Sequence, residues 1–504
     1  MIDEFPDITA RRAELSPKAI ALEEIATGRA LTYAELELRA SRAASLLQSR
    51  GIGTGDRVAV LCRNRIAFFE LLFGCAKLGA ILVPLNWRMP RPELFPLVAD
   101  ADPALLLFGE EDAALAAGLG IEAIGLDEGY EPMLSAVEPG RWPARHPADA
   151  IWYLLYTSGT TGAPKGVIYT HRMALANYVN IRSAIDLRST DCTANFLPLF
   201  HTAGINLHSL PTLIAGGRVL VLPGFEEEVL LGLFERRRLD TFFAVPAVYQ
   251  ALLDQPSFAA LPLQHVRHWG CGGAPLPDRL VERCRVVGIR VCNGMGMTET
   301  GPTAFILDPA DAWDRIGSVG KPQLLCSVRI VDETGRDVPD DAEGDLLFSG
   351  LGVTPGYWRN PDETAAAFTP DGWLRSGDIA RRDAAGFFYI SGRRKEMFVS
   401  GGENVFPVEV ENVLCAHPAI AEAAVVAAPD PRWGEVGRAF ILPIPGVAAL
   451  DYVELEAFCR ARLAAYKVPK RFEIVADFPR TAAGKIRKHC LVEEPPPLRA
   501  IGGR

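Results

Sequence analysis

The 504-residue chain reads as an α/β protein. A large N-terminal domain of parallel α/β sheets with a small β-barrel-like region precedes a small α+β C-terminal domain. Three observations predict this. Short apolar strands alternate with helical patterns, which is the rhythm of a parallel sheet covered on both faces. Between about 326 and 390 that rhythm gives way to short alternating segments separated by turns. After Gly392 a charged, glycine-rich stretch opens a different pattern, so the domains are set at 1–392 and 393–504.

The elements follow in order. Leu31–Arg50 reads as a helix: Thr32-x-x-Glu35 forms a capping box, Leu36, Ala40, Ala43 and Leu47 share one face, and Gly51 stops it. Val58–Cys62 is a strand, Ile66–Leu78 an apolar helix and Ala80–Leu85 a buried strand. Strands are expected again at Ile151–Tyr156, Arg218–Leu222, Thr241–Val245 and Ile289–Cys292. The antiparallel region comprises Cys326–Val331, Asp345–Phe348 and Phe387–Ile390, with turns at Asp332–Gly335 and Asp383–Gly386. In the last domain, Val408–Cys415 and Tyr452–Ala464 read as helices, and Glu422–Ala427 and Arg438–Leu442 as strands.

Composition narrows the function classes. A net charge of −10 argues against nonspecific binding to nucleic acid or an anionic membrane. Ten scattered cysteines without a C-x-x-C pair argue against a zinc site or disulfide framework and fit a reducing cytoplasm. The first twelve residues lack an apolar signal core, and no apolar run approaches the ~18 residues that span a bilayer.

The chemistry is carried by the segment after Ile151–Tyr156: Thr157-Ser-Gly-Thr-Thr-Gly-Ala-Pro-Lys-Gly166. Glycines let backbone N–H groups approach an anion, and four hydroxyls and a lysine add donors for phosphate oxygens. The spacing is not that of a Walker loop, because Lys165 follows Gly162 by three residues and precedes Gly166.

This segment resembles the signature of the adenylate-forming superfamily, which includes acyl- and aryl-CoA synthetases, luciferases and peptide-synthetase adenylation domains. Further segments follow in the family's order: Leu197-Pro-Leu-Phe-His201, Gly296-Met-Thr-Glu299, Gly344–Gly350, Trp373-Leu-Arg-Ser-Gly-Asp378, Gly392-Arg-Arg-Lys-Glu396, Gly401-Gly-Glu-Asn-Val405 and Pro479-Arg-Thr-Ala-Ala-Gly-Lys485. They cover nearly the whole chain. The resemblance implies activation of a carboxylic acid by ATP, then transfer of the acyl group to coenzyme A, with Mg²⁺ as the metal.

By resemblance, Lys485 bridges the carboxylate and the α-phosphate. Thr298 touches that phosphate, and Glu299 holds Mg²⁺ with Thr157. Thr157, Ser158, Gly159, Thr160, Thr161, Gly162 and Lys165 grip the phosphates. Gly273, Ala274 and Pro275 line one side of adenine, and Asn293, Gly294 and Met295 the other. Met295 stands where the family commonly has an aromatic residue, and a thioether still packs on an aromatic face. Asp378 and Arg393 receive the ribose, with Ser376 in place of the family's threonine. Lys395 marks a hinge about which the small domain moves between half-reactions. Gly401, Gly402, Glu403 and Trp433 border a coenzyme A tunnel.

The acyl pocket is assigned to His201, Ile205, His208, Val245 and Gly272. It looks mostly apolar, which points to a fatty or aromatic monoacid. His201 is a candidate catalytic residue or a packing histidine. A carboxylate is already ionised at pH 7, so adenylation needs no base. Two other readings stay open: a stand-alone adenylation enzyme loading a carrier protein, and a luciferase-like oxygenase. The partners are small molecules, with a homodimer left open.

Overall fold

The computed structural model describes residues 3–158, 164–444, 446–447, 450–480 and 486–493. Its N-terminal part is built on two large sheets. The first has six strands in the spatial order Pro164–Thr170, Ile151–Ser158, Ile81–Pro84, Arg57–Leu61, Leu105–Phe108 and Ala123–Gly125. These pair in parallel, except that Pro164–Thr170 runs antiparallel to Ile151–Ser158.

The second has nine strands: Lys321–Pro322, Phe305–Ile306, Val291–Met295, His268–Cys271, Thr241–Ala244, Cys192–Asn195, Arg218–Val221, Ile20–Glu24 and Ala30–Thr32. Its central strands are parallel, and the strands at both edges are antiparallel.

Helices Tyr33–Ser49 and Ile66–Leu78 join one hydrophobic core with residues of both sheets. The first is held at its start by the predicted capping box. Glu35 N–H donates to Thr32 Oγ1, and Thr32 N–H donates to Glu35 Oε2. The second is buried on nearly every side, which explains its apolar sequence. The helices cross closely at Gly74, where a Cβ would come within 2.8 Å of Ala43 Cβ.

The predicted barrel-like region is a four-stranded antiparallel sheet: Cys326–Val331, Gly344–Gly350, Leu374–Arg382 and Phe388–Arg393. A bridge between Gly320 and Phe388 ties it to the end of the nine-stranded sheet. The backbone leaves this sheet at Arg393 and enters the next at Phe398. The last sheet orders Glu403–Val405, Phe398–Ser400, Gly434–Pro443 and Ile420–Asp430, with Arg471–Ile474 parallel to Gly434–Pro443. Helices Pro407–Cys415 and Tyr452–Arg460 share its core. No helix among the described residues is long and apolar enough to cross a membrane.

Candidate active site

A cleft of about 1710 Å³ runs between the large sheets and the C-terminal module. The Ile151–Ser158 and Pro164–Thr170 hairpin sets one wall by pairing Thr157 with Lys165 across its strands. Both residues line the cleft. Gly159, Thr160, Thr161 and Gly162 lie outside the described residues, as does the Ser158 side chain.

Opposite, the chain makes a short turn, Thr298–Thr300, between strands Val291–Met295 and Phe305–Ile306. Gly296 permits it, since a Cβ there would fall 1.4 Å from the Pro302 carbonyl oxygen. Thr300 Oγ1 accepts from Met297 N–H and donates to its carbonyl. Thr298 and Glu299 thereby line the cleft while being 7% exposed. The Tyr357 hydroxyl donates to Glu299 Oε1 at 3.0 Å. Burial and the neighbouring Glu299 carboxylate push the Tyr357 phenol well above its ordinary pKa, so it stays a donor. The Lys165 ammonium lies 5.4 Å from the centre of the Tyr357 ring and pairs with Glu363.

On the third side, Arg393 faces Asp378 across paired strands, with Nε–Oδ1 at 2.9 Å, and Asp378 itself is buried off the lining. Arg393 also donates to the Ser376 carbonyl, and Ser376 Oγ accepts from Asp378 N–H. Arg393 and Lys395 line the cleft. So do Arg480 and Ile486–His489, the described neighbours of Lys485, which itself lies outside the described residues. Lys488 joins Glu396 at 2.6 Å and Glu411 at 2.8 Å. Burial pulls its pKa down, but the two carboxylates outweigh burial and hold it above the ordinary value. Lys165, Arg393 and Lys488 thus line one cleft, each paired with a carboxylate.

The cleft also reaches His201, His208, Gly272, Gly273, Gly294 and Met295. The other predicted residues stand elsewhere. Ile205 is fully buried in the hydrophobic core with Leu199 and Leu210, so it is a packing residue. Val245 stands beside Gly273 and precedes the Pro246–Asp254 helix without lining the cleft. Asn293 is not part of the wall, because its amide donates to the Ser318 carbonyl. Ala274 and Pro275 also lie off the lining.

A model of the AMP-binding enzyme family matches residues 9–358, and one of the AMP-binding enzyme C-terminal domain matches residues 409–485. The chain belongs to the AMP-binding enzymes. It is 41% identical to a feruloyl-CoA synthase of Amycolatopsis sp. over 484 residues, covering 95% of this chain and 96% of the relative. It is 36% identical to an indoleacetate–CoA ligase of Aromatoleum aromaticum over 491 residues, covering 95% of each. The structure of o-succinylbenzoate CoA synthetase from Bacillus subtilis with the acyl-adenylate OSB-AMP superposes with a TM-score of 0.89. That match has 31% identity over 97% of this chain and 98% of the other. The chain is therefore an acid–thiol ligase of the acyl- or aryl-CoA type, with ATP and CoA as co-substrates.

In this AMP-binding enzyme, Gly401 and Trp433 touch each other. Gly401 N–H donates to the Trp433 carbonyl, and a Cβ on Gly401 would lie 2.7 Å from the indole. Gly401, Gly402, Glu403 and Trp433 are exposed and do not line the cleft, although Glu435 does. Sequence reasoning missed Tyr357 and Glu363, which meet Glu299 and Lys165 only through folding. It also missed His268 on the cleft wall. The one local signal was the Asn360-Pro-Asp-Glu363 helix start, where Asn360 caps Glu363 N–H.

Proposed function

We propose that the enzyme works in two half-reactions in this cleft. The substrate carboxylate attacks the α-phosphorus of ATP, forming acyl-adenylate and releasing pyrophosphate. The thiol of coenzyme A then attacks the acyl carbon and releases AMP. One observation carries this reading: Thr157, Lys165, Thr298, Glu299 and Arg393, remote in sequence, line a single cleft that continues past His208 into an apolar recess.

Each role follows from the surroundings. Two anions must meet, so catalysis consists mainly of neutralising charge and positioning groups. Lys165 stands where the hairpin can bring it to the phosphates once it exchanges Glu363 for them. Thr298 offers a hydroxyl on a turn fixed by Gly296 and Thr300. Arg393 and Asp378 form a paired platform for the ribose. Lys485 is assigned as the cation between the carboxylate and the α-phosphate, because its described neighbours Arg480 and Ile486 border the cleft.

The donor set also fits magnesium. Glu299 is a carboxylate oriented by the Tyr357 hydroxyl, and Thr157 adds a hydroxyl on the facing hairpin. No group of three or more His, Cys, Asp or Glu suited to a metal occurs among the described residues. Magnesium is a hard ion that is held by few protein oxygens plus substrate phosphates. When bound, Mg²⁺ would neutralise phosphate charge.

The crossover between Arg393 and Phe398 carries Lys395 and is the assigned hinge. Rotation about it would withdraw Lys485 and bring the Gly401–Glu403 and Trp433 surface to the coenzyme A side. The ten free thiols support a cytoplasmic location.

The test is a panel of carboxylic acids with ATP, Mg²⁺ and coenzyme A, reading nucleotide products and thioester mass. AMP and one acyl thioester are expected. Release of ADP in place of AMP would overturn the reaction class.

A further inference from the structure

The crossover from the antiparallel sheet into the C-terminal module is a tight turn. The Glu396 and Met397 N–H groups both donate to the Arg393 carbonyl, at 3.0 and 3.2 Å. Lys395 is an exposed residue inside this turn. Its two neighbours are held, and by different bodies.

Arg394 is fixed to the N-terminal part twice. Its N–H donates to the Gly377 carbonyl at 3.0 Å. Its guanidinium forks onto the Asp345 carboxylate of strand Gly344–Gly350, at 2.6 and 2.9 Å. Both side chains are part-exposed, where a single-point ion pair contributes little. A fork of two parallel bonds differs, because it fixes direction as well as distance.

Glu396 is fixed to the C-terminal module. Its Oε2 lies 2.6 Å from Lys488 Nζ, which also reaches Glu411 Oε1 at 2.8 Å. Glu411 stands on helix Pro407–Cys415, and its Oε1 accepts from Val425 N–H at 2.7 Å on strand Ile420–Asp430. Lys488 opens the Lys488–Glu493 helix. Four segments thus meet around one ammonium.

Away from the crossover, the two bodies touch through longer contacts. Arg279 Nη1 is 3.4 and 3.5 Å from the His417 and Ile420 carbonyls, and Arg487 Nη2 is 3.9 Å from Glu93 Oε2. These give way more readily than the short bonds at the crossover. A rigid-body reorientation is absorbed by the few residues whose torsions are free to change. Arg394 cannot turn without breaking its fork, and Glu396 cannot turn without leaving Lys488. Lys395 stands between them and belongs to neither anchor.

We propose that Arg394 and Lys488 are positioning residues: they bind the two flanks of Lys395 to opposite bodies, so that reorientation of the module is confined to that residue and ends in defined orientations. This rests on the two-half-reaction reading above and adds the side chains that set its pivot.

Two exposed residues, one on each body, serve as label sites: Val286→Cys and Val453→Cys are spin-labelled in a chain whose part-exposed thiols Cys326, Cys415 and Cys490 are changed to serine. Label distances are measured by pulsed electron resonance with ATP and Mg²⁺, and again with AMP and coenzyme A. The otherwise wild-type chain is expected to give one narrow distribution in each state, with different centres. Arg394→Gln and Lys488→Met should each broaden both distributions about twofold or more while ATP still binds. With the best acid of the panel, kcat should fall about tenfold in each and KM for ATP should hold, since misplaced groups cost rate rather than binding. Reversing the first pair, Arg394→Asp with Asp345→Arg, should recover the narrow distributions. A purely structural role would lower Tm and leave the widths and kcat in place, which would overturn the inference while the two half-reactions stand. Wild-type centres that coincide would overturn the inference and the hinge assignment together. If no acid yields AMP, the ligase reading falls and the inference with it. If Lys488→Met fails to fold, Arg394→Gln and Glu396→Gln, which leaves Lys488 on Glu411, decide.

Discussion

At the scale of single residues, Tyr357 serves both charged groups on the phosphate side. Its hydroxyl donates to Glu299, and its ring lies beneath the Lys165 ammonium. Tyr357→Phe keeps the ring and loses the donor. A hydrogen bond to a charged group contributes about 1.5–3 kcal/mol, so kcat/KM should fall about 10- to 100-fold. The Mg²⁺ concentration for half-maximal rate should rise with it, and an unchanged Mg²⁺ dependence would dismiss the positioning role. Glu299→Gln should cost about 10²–10³ in kcat, as for the loss of one preorganised electrostatic partner. Lys485→Ala should abolish acid-dependent ATP–pyrophosphate exchange while thioester formation from preformed acyl-adenylate largely persists. Normal exchange in that variant would remove Lys485 from the mechanism. The sequence motifs pointed to Glu299, Lys165 and Lys485. They did not point to Tyr357, because a contact across 58 residues leaves no local pattern.

At the scale of elements, legibility followed local signals. The Ile66–Leu78 helix was readable at both ends, since its apolar run stops at Gly79, which takes the left-handed conformation. Thr32 carried a complete capping box. Thr32→Ala should lower stability by about 1 kcal/mol and shift Tm slightly without changing kcat. The Leu374–Arg382 strand was missed because its inward and outward positions are set by the strands on either side. Pro164–Gly166 belongs to the phosphate-directed loop in the sequence reading, whereas in the fold it opens strand Pro164–Thr170, the antiparallel partner that holds Lys165 in place. Gly296 sits at the tightest turn of the site. Gly296→Ala must displace the Thr298–Glu299 turn, so pyrophosphate exchange should be lost far beyond any fall in Tm. Wild-type exchange rates in that variant would show the turn to be adaptable.

At the scale of the whole molecule, two bodies meet over the cleft and are tied near the crossover. Arg394 forks onto Asp345 with bonds of 2.6 and 2.9 Å, and within the C-terminal module Lys488 links the crossover residue Glu396 to Glu411. Arg279 reaches the His417 and Ile420 carbonyls from the N-terminal part. Stability should also carry a pH signature. Burial lowers His171 and His208 to about 3 and His268 to about 4. In the unfolded chain they protonate near 6.5. Below that pH the unfolded state binds more protons, so stability present at neutral pH is lost as pH falls from about 6.5 towards 4 and 3. Each histidine contributes up to about 1.4 kcal/mol per pH unit in that window. Calorimetry from pH 7.5 to 5 should show Tm falling, and a flat or rising Tm would contradict the neutral burial of these rings.

The sequence by itself determined the layered α/β class, most element positions and the ordered motifs of an AMP-binding enzyme. These depend on local periodicity, on turn residues and on side chains whose spacing is short. Tertiary structure alone decided which of the named residues share the cleft. It moved Ile205 into the core, turned Asn293 towards Ser318 and set Gly401 against Trp433 away from the lining. It also brought His268 beside His208, although 60 residues separate them in the chain. The physical reason is that parallel strands far apart in sequence lie side by side in one sheet, and the groups facing a shared cavity follow from that register.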